Sequence, residues 1–108
     1  MNRRSVIGAS HLEVSAINYE NNFITLNVKK DDFNWSLKKQ CSELIFFRNS
    51  ILDVAIRFNN SFPILNEDNK EILSELSDWL KECADAMNYS SAHSGIFNSF
   101  VKVNEYTL

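Results

Sequence analysis

The sequence predicts an α+β domain: a β-hairpin over about 11–30 laid on a long antiparallel helix pair over about 34–60 and 67–88, with the tail closing the core as a short helix or strand. Three observations carry that expectation. Apolar residues alternate with polar ones between positions 12 and 28. From 35 to 60 they spread over more than half of a helical wheel. From 72 to 87 they return at helical spacing opposite a line of carboxylates.

Residues 1–10 read as a lead-in. The hairpin follows, with Leu12, Val14 and Ala16 alternating with Glu13 and Ser15, and Ile24, Leu26 and Val28 alternating with Thr25 and Asn27. A three-residue loop, Glu20-Asn21-Asn22, pairs Tyr19 with Phe23, Ile17 with Thr25, Ala16 with Leu26, Val14 with Val28 and Glu13 with Lys29. A loop one residue shorter mixes the two faces, which a half-buried hairpin resists. Asn suits such a loop because its side chain tolerates the left-handed region.

Asp31-Asp32 ends the strand, and either residue, or Asn34, caps the long helix. On that helix Leu37, Cys41, Leu44, Ile45, Phe47, Ile51, Leu52, Val54, Ala55, Ile56 and Phe58 form the wide apolar arc. A helix of this span runs roughly 40 Å. It ends near Asn59-Asn60, since Phe62 precedes Pro63 and is pushed out of helical geometry. Asn66 is the expected cap of the second helix, with Ile72, Leu73, Leu76, Trp79, Leu80, Cys83, Ala84 and Met87 on its inward face. In the tail, Ile96, Phe97, Phe100 and Val101 fit a helix, while the run from Phe100 to Tyr106 fits a strand added to the hairpin.

Composition bounds what such a domain does. A chain of 108 residues with 44 % hydrophobic residues and eight Phe fills one core. No run approaches a membrane span, and Ser5-Val6-Ile7-Gly8 is too short for the apolar region of a signal peptide. The expected compartment is a reducing cytoplasm. Two glycines leave little material for phosphate cradles or strained nucleophile turns, and no nucleophile–base or cofactor pattern is present. An enzyme is disfavoured and no cofactor is expected. Cys41, Cys83, His11 and His93 lack the local spacing of a metal site, so no metal is expected either.

Charge is the remaining signal. Residues 1–57 carry a net +2 and residues 58–108 a net −5. Glu71, Glu75, Asp78, Glu82 and Asp85 fall at spacings of 4, 3, 4 and 3, one acidic stripe opposite the apolar one. Arg48 sits inside the apolar arc, where a charge must be paired, snorkel, or face an anion. Phe46 points to the polar side, to be covered by the tail, by a second subunit, or left exposed. These seven residues are the candidate partner-binding set. They suggest a non-enzymatic binding or inhibitory module meeting the basic surface of a protein partner. A self-assembling subunit or homodimer is the first alternative. A weak nucleic-acid accessory role comes second: net charge −3 disfavours nucleic acid, and Asp31-Asp32 offsets Lys29, Lys30, Lys38 and Lys39.

Overall fold

In the computed structural model, residues 12–87 and 91–107 are described. Three strands form an antiparallel meander in the order β1-β2-β3: β1 (Leu12–Glu20), β2 (Phe23–Lys30) and β3 (Phe33–Gln40). Helices follow as α1 (Cys41–Ser50), α2 (Leu52–Ala55), α3 (Ile72–Met87), α4 (Ser91–Phe100) and α5 (Val103–Tyr106). The α+β class is as expected. The long antiparallel helix pair is matched in part: among the described residues one long helix, α3, is present.

The first correction concerns residues 33–40, which form a strand rather than the start of a helix. Trp35, Leu37 and Lys39 are buried and alternate with exposed Asn34, Ser36 and Lys38. Their cross-strand neighbours Val28, Leu26 and Ile24 are buried on the same face. Asp31 makes the turn, with φ of 55°, a region Asp enters more readily than most residues. Asp31-Asp32 is therefore a hairpin turn and not a helix cap.

The β1–β2 hairpin matches its expected register at one end only. Glu13 pairs with Lys29, Val14 with Val28 and Ala16 with Leu26, as the alternation requires. Nearer the turn the pairs are Asn18–Thr25, Tyr19–Ile24 and Glu20–Phe23. The loop is thus two residues, Asn21-Asn22, both at positive φ (54° and 66°), as the tight primed turns demand. A bulge at Ile17 absorbs the extra residue and keeps Val14 and Ala16 facing inward.

The second correction is a break in the expected 34–60 helix. Ile51 leaves helical geometry at φ −120°, ψ 24°, and only α2 continues beyond it. Ile51 itself is fully buried, whereas Leu52 and Ile56 are 47 % and 76 % exposed. The wide apolar arc is thus shared between β3, the two short helices α1 and α2 and the segment that follows, with part of it facing outward.

α3 begins later than expected. Asn66 makes a local turn by accepting the N–H of Asp68 (2.8 Å). Asn69 does the capping: its Oδ1 accepts the N–H of Glu71 (3.1 Å), and its Nδ2 donates to the Ile64 carbonyl and to Glu75. In the tail the helical alternative holds, as α4 and α5 joined through Lys102 at φ 60°.

The core lies between the inner face of the sheet and the helices. Trp79 on α3 is its centre, meeting Phe62, Phe58 and Phe47 edge-on at 4.8, 5.7 and 6.1 Å. Phe47 stacks on Phe100, tying α1 to α4. Trp35 donates its indole N–H to the Val101 carbonyl (2.9 Å) and stacks on Tyr106, which ties β3 to the tail.

Candidate partner-binding surface

α3 orients the acidic stripe. Its apolar residues Ile72, Leu76, Trp79, Leu80, Cys83, Ala84 and Met87 are buried, so the 3.6-residue repeat turns the carboxylates outward. Glu71, Glu75, Asp78 and Asp85 are exposed. Among the described residues no lysine or arginine forms an ion pair with any of the five acids.

The five differ in what they hold. Glu82 is committed to the fold: it accepts the N–H groups of Asn59 and Asn60 (both 2.8 Å) and the Asn60 amide (2.7 Å). Burial pushes its carboxyl up, but these three donors outweigh that and hold it below the usual range. Glu75 accepts from the Asn69 amide (3.0 Å), and Glu71 takes a long bond from Ser74 (3.4 Å). Among the described residues, Asp78 and Asp85 make no such contact. They line an open cleft of about 480 Å³ beside β1, together with Glu13, Lys29 and Lys81. The acidic face is therefore mixed at this end.

Arg48 is half-buried at the rim of the core. Its guanidinium lies over the Phe62 ring (5.1 Å) and its Nε donates to Asn49 (3.2 Å), so its stem packs and its charge rests on an aromatic face. Phe46 is 71 % exposed and, with Ile96 and Phe100, lines an apolar groove between α1 and α4. Neither residue lies on α3, and the seven candidates do not form one site.

Several features escaped the sequence reading. Lys39, which lies beside Phe46 on the polar side of the expected 34–60 helix, is 8 % exposed, with Nζ 4.7 Å from the centre of the Phe100 ring. Burial lowers its pKa, against the opposing pull of Glu43. His93 is paired: its Nε2 lies 3.0 and 3.1 Å from the two oxygens of Asp53, and the bond from His93 holds that carboxyl below its usual range. Nε2 must carry the hydrogen, since a carboxylate only accepts. His11 lies outside the described residues. Cys41 and Cys83 are free thiols, each raised in pKa by burial, Cys83 strongly so. Among the described residues no group of three or more His, Cys, Asp or Glu is placed to hold a metal ion, and no helix is long and apolar enough to cross a membrane.

Comparisons with protein-family models, with curated proteins and with solved structures gave no match.

Proposed function

We propose that this chain is a non-enzymatic protein-binding module that presents the outer face of α3 to a basic partner surface. The observation that supports this most is the exposure of Glu71, just before α3, and of Glu75, Asp78 and Asp85 along one side of it, none of them paired with a lysine or arginine of the described chain. Like charges at these spacings cost a few tenths of a kcal/mol each. A surface that carries that cost and leaves the charge open steers oppositely charged partners at long range. An inhibitor that covers a basic cleft needs no more chemistry than this.

Glu82 belongs to the loop and must be left intact in any test. The experiment compares the wild-type chain with Glu75→Lys/Asp78→Lys/Asp85→Lys in affinity capture from its native cells. The wild type is expected to retain a basic protein at low salt and release it as salt rises. The triple variant is expected to lose that protein while keeping the wild-type circular dichroism and melting temperature. Retention of the same partner by the folded variant removes the acidic face from the interaction.

A further inference from the structure

The two edges of the sheet are treated differently. On β1, Ala16 points its backbone away from β2, and Ser77 of α3 meets both groups: its Oγ accepts the Ala16 N–H (2.9 Å) and donates to the Ala16 carbonyl (3.3 Å). On β3 the outward groups are identifiable from the ladder. Cys41 donates to the Asn22 carbonyl (2.9 Å) just beyond the strand end. By antiparallel alternation, Lys39, Leu37, Trp35 and Phe33 then exchange bonds with β2. Asn34, Ser36 and Lys38 therefore aim their N–H and C=O groups outward. Among the described residues no backbone group pairs with them on that side.

This open edge is polar in sign along its length. Asp31-Asp32 stands at one end and Lys38-Lys39 at the other, and among the described residues none of them forms an ion pair. Phe33, beside the acidic end, is 40 % exposed. The geometry points to a second copy of this chain as the occupant: two β3 edges pair antiparallel about a two-fold axis at Trp35, giving one continuous six-stranded sheet. In that register Asn34 exchanges backbone bonds with Ser36 of the second copy, and Phe33 gains Leu37 of the second copy as an apolar neighbour. Asp32 stands opposite Lys38 of the second copy, and Asp31 opposite Lys39. The two-fold repeats every pair, which makes the contact self-complementary.

Other registers lose this match. An axis at Ser36 sets Lys38 opposite Asn34 and leaves the aspartates without a partner charge. Parallel pairing in register sets lysine beside lysine and aspartate beside aspartate, which destabilises a pair. A slip of one residue aims outward groups at inward ones. Lysines on an edge usually guard it against self-pairing. Here, with opposite signs at opposite ends, they exclude all but one arrangement. Lys38, which is exposed, carries the ion pair; Lys39 adds its charge from its place over Phe100. None of this depends on the acidic face of α3.

Sedimentation equilibrium on the full chain over a concentration series tests the contact. A mass rising from 12.5 kDa towards twice that value is expected. Ser36→Pro removes an outward N–H and leaves the β2 ladder intact, so it should give a folded monomer. Lys38→Glu and Asp32→Lys, each alone, should weaken the dimer about tenfold. An equimolar mixture of those two variants should restore it, because each then meets an opposite charge at both ends. A mass of 12.5 kDa at every concentration overturns the proposal. So does a dimer that survives Ser36→Pro, one that yields instead to Phe46→Glu in the α1–α4 groove, or a mixture no tighter than its components.

Discussion

At the residue scale the fold tolerates one charge that a stability-optimised core would avoid. Lys39 occupies an inward position on β3 where Trp35 and Leu37 are the neighbouring inward residues; the face of Phe100 receives its ammonium, and Glu43 and Glu105 attract it from further off. A cation over an aromatic ring offsets roughly 0.5–2 kcal/mol, while removing an ion from water costs several. Lys39→Met, close in shape and without charge, is expected to leave stability unchanged or raise it by about 1 kcal/mol in urea unfolding. The pH dependence has a defined sign. The folded pKa of Lys39 lies below the ordinary 10.5, so between the two values the unfolded chain holds the proton and the native chain does not. Stability of the wild type therefore rises, relative to Lys39→Met, as pH climbs through that window. A substantial loss of stability in Lys39→Met at neutral pH would mean that the ammonium attracts more than its burial costs.

At the element scale, the outer edge of β1, the side away from β2, is secured by a side chain rather than by another strand. Ser77→Ala leaves the Ala16 N–H and C=O without partners in a half-buried groove, at a cost of about 1 kcal/mol. Native-state hydrogen exchange should show the Ala16 amide losing protection while that of Leu26, in the central strand, changes only with global stability. Equal loss at both amides would mean that Ser77 acts on the fold as a whole and not on the edge. Legibility divides along the same elements. α3 was readable because its 3.6-residue repeat is unbroken, and half of the hairpin because alternation fixes a face. The bulge at Ile17 was not, since a two-residue Asn-Asn turn and a three-residue loop differ only in backbone angles. β3 was hidden because Lys39 interrupts its apolar alternation, leaving Trp35 and Leu37 compatible with a helical wheel. The break at Ile51 has no glycine or proline to mark it, and exposed Leu52 and Ile56 imitate core. Of the candidate surface, the direction of the acidic face was legible. The use of Glu82 by the Asn59-Asn60 loop was not, because a long-range contact leaves no periodic trace.

Across the whole molecule, negative charge gathers along the outer side of α3, and this has a consequence that separates folding from binding. Glu71, Glu75, Asp78, Glu82 and Asp85 repel along α3 with no described lysine or arginine paired to them, a cost on the order of 1 kcal/mol at low ionic strength when a few tenths are taken per neighbouring pair. Salt relieves that repulsion, since the Debye length shrinks from about 10 Å at 0.1 M to about 3 Å at 1 M. The free energy of unfolding should therefore rise as sodium chloride is added, whereas capture of a basic partner should weaken over the same range. Asp78→Asn/Asp85→Asn isolates the cause, because neither carboxylate holds a loop or a cap. The double variant is expected to be more stable than wild type in low salt and to show a flatter salt dependence, with the two curves converging at high salt. Parallel curves would place the salt effect elsewhere in the chain. A double variant less stable than wild type in low salt would mean that Lys81 or Lys29 pairs with these carboxylates in solution, leaving no open anionic face for a partner to meet.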